Sequence, residues 1–415
     1  MNKYDFQLRD CSLQPGFHFV FSVASDPIIS DYATVMVLFL ISNIILLFAA
    51  AFYFLIQFGL AAGLKRLDHS VNNTRPFVSV IVAARNEENN IPQLLHCLSQ
   101  QTYPNYEIIV INDRSTDKTS QLIDDFKKKY ANITSIDITM VPDDMPAKKN
   151  ALRAGIAGSK GEILCFTDAD CLPNSAWIGE LVKLFVPGVG LVAGYSPYQI
   201  PNAQISKQGL FKKLFFEFIR YEEYRAALWT AGSIGWNKGW LCTGRNLAYR
   251  RKVYDEVNGF EKIKMSISGD DDLFLQLVRR QTTWKITYII TPESFVRTNP
   301  PSDLKSFLEQ RKRHFSAAKY FPITMKLFFL LYHSSNLLIF LSPVLLLMNN
   351  FPLTIVIIVI CAKLVGDGML YTYSHRTFAA GHFWRSFILM EAVYVLYNSI
   401  VGPLGIFRKF AWKQR

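Results

Sequence analysis

The hydrophobic residues of this chain fall into four long apolar stretches around a mixed middle region. The first, Thr34 to Leu64, contains no Asp, Glu, Lys or Arg and exceeds the ~20 residues that a helix needs to span a bilayer. Three more follow at Lys326–Met348, Pro352–Tyr373 and Phe387–Phe407. This segregation predicts a membrane protein with one aqueous domain. We divide the chain into an N-terminal segment, a transmembrane helix, an aqueous domain, C-terminal membrane segments and a basic tail, at 1–31, 32–64, 75–320, 326–407 and 408–415.

The middle region alternates between β-branched runs and amphipathic runs. The pattern predicts strands at Phe77–Ala84, Tyr106–Asn112 and Ile163–Phe166. It predicts helices at Glu87–Gln101, at Ser115–Tyr130 with a cap near Ser115, and at Lys148–Ala157. Strand-helix-strand alternation is typical of a mostly parallel sheet covered by helices, so we expect an α/β fold.

Two later segments mix apolar with basic residues, at Gln208–Trp229 and Ser302–Tyr320. Each is interpreted either as a helix at a bilayer surface or as a partly buried helix, and the pattern leaves both open. Within the second C-terminal apolar segment, Lys363 and Asp367 are spaced i, i+4. An unpaired charge in mid-bilayer costs about 2.5–3.5 kcal/mol on insertion scales, so we expect these two to form an ion pair.

The net charge of +12 comes largely from basic residues beside the apolar stretches. No basic stripe with interleaved aromatic residues indicates a nucleic-acid module, so we expect no nucleic-acid partner. Lys65, Arg66 and Arg75 follow the first span. The positive-inside rule therefore predicts that 1–31 lies outside and that 75–320 is cytoplasmic. Three spanning C-terminal segments would put the basic tail outside, against that rule, and Gly402-Pro403 makes the last segment a candidate for a re-entrant one.

Two carboxylates, Asp168 and Asp170, follow the predicted strand Ile163–Phe166 directly. Their i, i+2 spacing at a strand end aims both side chains the same way. Hard oxygen ligands with vacant positions suit Mg²⁺ or Mn²⁺ that also carries phosphate oxygens. The alternative is a solvated loop after a strand.

Other polar residues also follow predicted strands, among them Asn86 and Asp113. Ligands of parallel α/β sheets bind at the carboxyl ends of the strands, so we expect these side chains to meet the acidic pair. A carboxylate at the position of Asp113 suits recognition of an imide N–H or a ribose hydroxyl. The alternative is that Asp113 caps the next helix.

Seven motifs occur in a fixed order along the chain. They are Asn86-Glu87 after a strand, Asp113-x-Ser-x-Asp-x-Thr, Lys148-x-x-Ala-Leu, Asp168-x-Asp170, Cys242-Thr-Gly-Arg-Asn, and Gly269-Asp-Asp-Asp with Gln310-x-x-Arg313-His314 downstream. Together they resemble the inverting, family-two nucleotide-sugar glycosyltransferases of GT-A (Rossmann-like) fold, in the membrane-anchored branch of the ceramide glucosyltransferases and polysaccharide synthases. The resemblance covers about 76–320.

The resemblance implies a role for each matched residue. Donor binding is implied for Asn86, Glu87, Asp113, Lys148 and Asp168, metal binding for Asp170 with Asp168, and contact with the diphosphate or acceptor for Gln310, Arg313 and His314. The second acid of the family's Gly-acid-Asp motif is the catalytic base, which implies Asp271. Asp270 and Asp272 stay open as alternatives because the run is repetitive, and all three acids also suit a helix start.

The resemblance implies an enzyme that uses Mg²⁺ or Mn²⁺ and transfers a sugar from a nucleotide sugar, such as a UDP-sugar, with inversion. His314 stands where membrane-bound members carry Trp, which favours single transfer to a membrane lipid or lipid-linked acceptor. A processive polysaccharide synthase and a non-catalytic membrane scaffold of the same fold are the alternatives. We expect an integral protein of a membrane such as the bacterial inner membrane.

Overall fold

A computed structural model describes residues 27–200, 205, 208–348 and 352–407. The predictions for 1–26 and for the basic tail 408–415 therefore lie outside the described residues. The first described element is helix α1, Pro27–Lys65, and an α/β domain follows it. After that domain come three long helices, α10 (Ile323–Met348), α11 (Leu353–Ser374) and α12 (Phe387–Phe407).

Seven strands form the main sheet, in the order β3-β2-β1-β4-β7-β6-β8. Their bounds are β1 Val78–Ala84, β2 Tyr106–Asp113, β3 Ile133–Ile138, β4 Ile163–Phe166, β6 Val189–Gly194, β7 Leu247–Arg250 and β8 Lys285–Ile289. The strands β3, β2, β1 and β4 are parallel, whereas β7 is antiparallel to both of its neighbours. Continuous apolar runs such as β1 and β4 fit a sheet that is buried on both faces. The predicted α/β fold is confirmed, with bounds within one residue for the three strands that the pattern predicted.

The helices of the α/β domain flank this sheet or lead from it towards the long apolar helices. They are α2 Ile91–Ser99, α3 Thr119–Lys129, α4 Ala147–Ala157, α5 Trp177–Lys183, α6 Leu210–Gly235, α7 Arg251–Glu256, α8 Asp272–Gln281 and α9 Leu304–Phe315. The helices α2 and α3 each start four residues later than predicted. The expected cap near Ser115 is wrong, because the Ser115 hydroxyl accepts the backbone N–H of Asn86 instead and α3 begins only at Thr119. The segments before the two helices bind each other, which keeps them out of helical geometry.

The apolar pattern did not predict strand β3 and two shorter strands, because few of their residues follow a clear apolar alternation. Strand β3 alternates exposed and half-buried residues. The strands β5 (Cys171–Pro173) and β9 (Val296–Thr298) form a separate two-stranded sheet. Strand β5 starts immediately after Asp170. The acidic pair therefore lies in a turn between two strands, which restricts both carboxylates.

Helix α6 is the link between the α/β domain and the long apolar helices. Leu210 and Phe211 at its start are exposed, but from Phe216 onwards most of its residues are buried. It packs against α1, α12 and β8. Of the two interpretations of this segment, the partly buried helix is the one observed.

Within the part of the chain that the structure describes, four helices are long and apolar enough to cross a membrane, judged by length and composition. They cover Thr34–Lys65, Ile323–Leu347, Leu353–Ser374 and Phe387–Leu404. The predicted pair within α11 is confirmed, because Lys363 Nζ lies 2.7 Å from Asp367 Oδ2. Helix α12 continues through Gly402 and Pro403 without a break, so the structure gives no support to a re-entrant last segment.

Candidate active site

The acidic turn Asp168-Ala169-Asp170 follows β4 and presents both carboxylates to one cavity. The turn is closed by the Cys171 N–H, which donates to the Asp168 carbonyl oxygen at 3.2 Å. Burial and the neighbouring Asp168 carboxylate raise the pKa of Asp170 to about 6. Two acids in such proximity stabilise a bound cation, and their open side leaves room for further oxygen ligands. The donor set therefore fits Mg²⁺ or Mn²⁺.

Lys148, at the start of α4, connects the two acidic motifs. Its Nζ lies 3.1 Å from Asp168 Oδ1 and 3.1 Å from Asp270 Oδ2. Burial acts to lower the pKa of Lys148, but the carboxylates of Asp168 and Asp270 outweigh it and raise the pKa. The lysine thus stays charged beside the site where a diphosphate would meet the acidic pair.

The run Asp270-Asp271-Asp272 places three acids in three different environments. Asp271 is the N-cap of α8 and accepts two backbone N–H groups, from Asp272 at 2.7 Å and from Gly244 at 2.9 Å. Asp272 accepts the backbone N–H of Cys242 at 2.6 Å, and Asp270 pairs with Lys148. The helix start that the sequence left as an alternative is therefore present, and the same residue also lines the cavity.

The pKa values of these acids move in different directions. Burial, together with the charge of Asp270, raises the pKa of Asp271. Burial also acts to raise the pKa of Asp270, but Lys148 and Lys149 outweigh it and lower the pKa. Asp271 is consequently a better proton acceptor than Asp270, since basicity rises with pKa.

The residues expected to bind the nucleotide lie beside the cavity. Asn86 has a left-handed backbone (φ 53°), and its Oδ1 accepts the Thr116 N–H at 2.8 Å. The Asp113 side chain is fully buried, with Arg114 Nε 2.8 Å from its Oδ1. Among the described residues that line the cavity, Glu87 is present but Asn86 and Asp113 are not. The helix cap considered for Asp113 is absent, because α3 begins six residues later.

Helix α9 brings Gln310, Arg313 and His314 into the lining of the same cavity. Gln310 Oε1 accepts the hydroxyl of Tyr198 at 3.4 Å. The protein atoms around His314 and the cations Arg311 and Arg313 lower its pKa well below the usual value, so the ring is neutral. A neutral imidazole at the cavity lining offers both a hydrogen-bond donor and an acceptor.

Sequence reasoning missed a buried group of charges behind α9. Arg311 lies 2.5 Å from Glu222 and 2.9 Å from Glu223, and Arg245 lies 2.5 Å from Glu223. All four side chains are buried and line the same cavity. An acidic pair inside a helix of apolar, aromatic and basic residues was the available signal, since such acids are rarely buried without partners.

The cavity has a volume of about 770 Å³ and reaches well beyond the acidic residues. One end is lined by Lys148, Asp168, Asp170 and Asp271. The other end is lined by residues of two candidate membrane helices, namely Phe329, His333, Ser334 and Leu337 of α10 and Tyr394, Asn398, Ser399 and Gly402 of α12. The site therefore opens from the carboxyl ends of the sheet strands towards the apolar helices.

Comparison with known proteins agrees with this architecture. The family model for glycosyl transferase family 2 matches residues 79–257, and that for glycosyl transferase family group 2 matches residues 211–399. A mannosyltransferase from Pyrobaculum calidifontis, solved with GDP-Man and Mn²⁺, superposes with a TM-score of 0.51 at 19% identity, covering 86% of this chain and 99% of its own. The fold is thus that of GT-A glycosyltransferases. Between them, the two glycosyl transferase family models match residues 79–257 and 211–399 of this chain.

Three curated relatives cover different shares of the chain. The probable glycosyltransferase YdaM of Bacillus subtilis is 30% identical over 57% of this chain and 54% of its own length. Glycosyltransferase AglE of Haloferax volcanii is 35% identical over 32% and 43%. The beta-monoglucosyldiacylglycerol synthase of Nostoc sp. is 26% identical over 55% and 46%. The chain spans about half the length of the curated relatives that it matches.

Proposed function

We propose that this glycosyltransferase moves a sugar from a nucleotide-sugar donor, with inversion, to a membrane lipid or lipid-linked acceptor. The observation that carries the proposal is the cavity, which joins the carboxylates at the strand ends to the residues of α10 and α12. A donor is soluble and a lipid is not, so an enzyme that joins them needs one site in contact with both phases. The similarity to a glucosyldiacylglycerol synthase supports a lipid acceptor.

The donor end would be formed by Asp168 and Asp170 together with Lys148. These acids are proposed to hold Mg²⁺ or Mn²⁺, which when bound neutralises negative charge on the leaving diphosphate. Lys148 lies within 3.1 Å of Asp168, so its ammonium group is placed to contact the same diphosphate. The Mn²⁺ and GDP-Man bound by the Pyrobaculum enzyme are consistent with this arrangement.

The nucleotide itself is proposed to contact the loops that follow β1 and β2. Asn86 fixes these loops to each other, and Glu87 lines the cavity beside them. Asp113 contacts the base or ribose in this proposal only after Arg114 moves aside, since the guanidinium now covers the carboxylate. A UDP-sugar is the proposed donor.

Asp271 is proposed as the catalytic base that takes the proton from the acceptor hydroxyl. Two backbone N–H groups fix its carboxylate, and burial with the charge of Asp270 raises its pKa. Both features suit general-base catalysis, which contributes typically ~10²–10⁴-fold. Arg313 and Gln310, in the same cavity lining, are proposed to contact the departing diphosphate, and His314 the acceptor.

Two other functions, those of a polysaccharide synthase and of a non-catalytic scaffold, fit these residues less well. A polysaccharide synthase would bind a growing sugar chain, and His314 offers a smaller stacking surface than the Trp of such enzymes. A non-catalytic scaffold has no need of charged groups gathered at one cavity, where Lys148 contacts two acids from separate motifs. Membrane location, with 75–320 in the cytoplasm of a cell such as a bacterium, is part of the proposal and stays a prediction.

The test is an assay of the purified full-length protein in lipid-containing micelles. UDP-glucose, UDP-N-acetylglucosamine and GDP-mannose are each supplied with Mn²⁺ or Mg²⁺, and diacylglycerol and polyprenyl phosphate are offered as acceptors. We expect a sugar label in the lipid-soluble fraction with at least one pair. Label in a water-soluble polymer would instead indicate a polysaccharide synthase, and no transfer with any pair would contradict both.

A further inference from the structure

Three separate elements meet at the buried charges behind the active site. Helix α6 contributes Glu222 and Glu223, the loop before β7 contributes Arg245, and α9 contributes Arg311. Each of the four side chains is about nine-tenths buried or more. Two acids face two arginines, and this pairing offsets part of the desolvation cost of burying charged groups.

Glu223 is the residue that connects the two arginines. Its Oε1 accepts a hydrogen bond from Arg245 Nη2 at 2.5 Å, and its Oε2 accepts one from Arg311 Nη2 at 2.9 Å. Burial acts to raise the pKa of Glu223, but Arg245 and Arg311 outweigh it and lower the pKa. Of the two arginines, Arg311 is the one that pairs with Glu222. Glu223 is therefore the bridge, whereas Glu222 is a second partner of one arginine.

Each arginine is attached to a different part of the catalytic machinery. Arg245 directly follows Gly244, whose backbone N–H donates to Asp271 Oδ2 at 2.9 Å. Arg311 directly follows Gln310 and lies two residues before Arg313. The Glu223 carboxylate thus sets the distance between the loop that holds the proposed base and the helix that faces the proposed leaving group.

We propose that Glu223 is a positioning residue for sugar transfer, acting from the cavity lining through Arg245 and Arg311. This inference rests on the proposed roles of Asp271 and of α9. A displacement of catalytic groups by about 1 Å can cost on the order of 10²-fold in rate. Loss of the bridge should therefore slow turnover, while the donor contacts at Lys148, Asp168 and Asp170 stay intact.

The sharpest variant is Glu223→Asp, because it keeps the charge and shortens the side chain by one methylene. Its carboxylate cannot reach both arginines in their present positions. We expect kcat to fall about tenfold or more, with the donor KM within about threefold of the wild type, since the misplaced groups act in the transition state. Glu223→Gln keeps the length but loses the charge, and we expect a similar fall in kcat.

The matched control is Glu217→Gln, on the same helix. Glu217 accepts a hydrogen bond from Ser386 and lies outside the cavity lining. We expect wild-type kcat and KM for this variant. A double variant, Glu223→Gln with Arg311→Gln, should be no slower than the slower single variant. Both substitutions remove the same interaction, so their effects on kcat should not multiply.

Melting temperatures of all variants separate positioning from simple loss of folding. The inference is overturned by normal kcat in Glu223→Asp, by an equal loss in Glu217→Gln, or by independent losses that multiply in the double variant. Failure of the proposed function is a different result, because it would appear as absence of lipid-linked product with the wild type. Hydrolysis of the nucleotide sugar by wild type and variants then still reports on Glu223.

Discussion

At the scale of single residues, the three adjacent acids after Gly269 are distinguished by their partners. Asp270 is tied to Lys148, and Asp272 to the backbone of Cys242. Asp271 is held by backbone N–H groups, and burial with the charge of Asp270 raises its pKa, whereas Lys148 and Lys149 lower the pKa of Asp270. Identical residue types thus acquire different chemistry from their surroundings.

We expect Asp271→Asn to reduce kcat by about 10²-fold or more, as loss of a general base implies. The substitution keeps size and shape and removes proton-accepting power. Binding of UDP or GDP with Mn²⁺, measured by calorimetry, should change little, because the donor contacts lie elsewhere. Asp272→Asn is the matched control, since an amide oxygen still accepts the Cys242 N–H and turnover should fall much less.

Near-normal turnover in Asp271→Asn would remove this residue from the base role. Loss of nucleotide binding in the same variant would assign it to the donor site, and the base would then have to be sought among its neighbours.

We also expect Asp170→Ala to abolish metal-dependent turnover. Its carboxylate is buried beside Asp168, and no other acid lies in the same turn. Transfer is measured against Mn²⁺ concentration for the wild type and the variant, with excess chelator as the reference. Full wild-type activity in excess chelator would contradict the metal assignment.

The sequence predicted the acidic pair at the end of β4, and it missed contacts that depend on distant pairing. Asp168 and Asp170 follow β4 directly, as ligands of parallel sheets require. Lys148 meets Asp168 from the start of α4, whereas Asn86 and Asp113 are not among the described residues that line the cavity. Glu223 and Arg311 are 88 residues apart, and no periodicity connects them. The sequence also did not indicate the ion pair between Arg114 and Asp113, because this pair depends on the positive φ of Arg114 at the end of β2.

At the scale of elements, the contact between α1 and α6 depends on three glycines. A Cβ on Gly63 would lie 2.0 Å from the carbonyl oxygen of Gly232, and one on Gly235 would lie 1.8 Å from that of Gly63. The indole of Trp236 donates to the Gly59 carbonyl oxygen at 2.7 Å across the same contact. The first apolar helix is thus packed backbone to backbone against the helix that carries Glu223.

We expect Gly63→Ala to destabilise the protein by about 1–3 kcal/mol, the usual cost of overpacking. The obstructing atoms belong to backbone, which cannot move aside as a side chain does. Gly59→Ala is the control, since a Cβ there meets nothing within 4 Å and alanine favours a helix by up to about 1 kcal/mol. Melting temperatures in detergent should fall for the first variant and not for the second. Equal melting temperatures would contradict the close contact.

Helix positions followed from apolar periodicity, but helix starts did not. The helices α2 and α3 begin late because residues 86–90 and 115–118 bind each other through side-chain and backbone hydrogen bonds. Such contacts join segments about 30 residues apart, so the helix propensity of the local sequence does not indicate them.

At the scale of the whole molecule, buried charges connect the catalytic domain to the candidate membrane helices. Arg225 of α6 lies 3.3 Å from Glu391 of α12 and 3.9 Å from Asp367 of α11. Lys363 lies 2.7 Å from Asp367 and 3.3 Å from Glu391. Tyr53 of α1 donates to Asp367 at 2.6 Å. Two cations balance two anions, so the predicted pair of Lys363 and Asp367 is half of a larger group.

We expect Lys363→Met to cost about 3–5 kcal/mol, the usual effect of breaking a buried ion pair. It leaves Asp367 and Glu391 with only Arg225 to neutralise them. Adding Asp367→Asn restores the balance of charge and should recover part of the loss. Unfolding in a titration with SDS measures both variants. An unchanged unfolding midpoint in the single variant would show that this group does not hold the domain to the helices.

The last prediction concerns the side of the membrane on which the catalytic domain lies. Lys65, Arg66 and Arg75 follow α1, so the positive-inside rule puts 75–320 in the cytoplasm and 1–31 outside. The test uses a chain without its native cysteines and with one cysteine restored or introduced. Cys11 should react with a membrane-impermeant thiol reagent on intact cells. Lys128→Cys, at an exposed position of α3, should react only after the cells are permeabilised. The reverse pattern would show that the domain lies outside the cell. Nucleotide sugars made in the cytoplasm cannot reach that side without transport, so the result would contradict the proposed function as well as the predicted orientation.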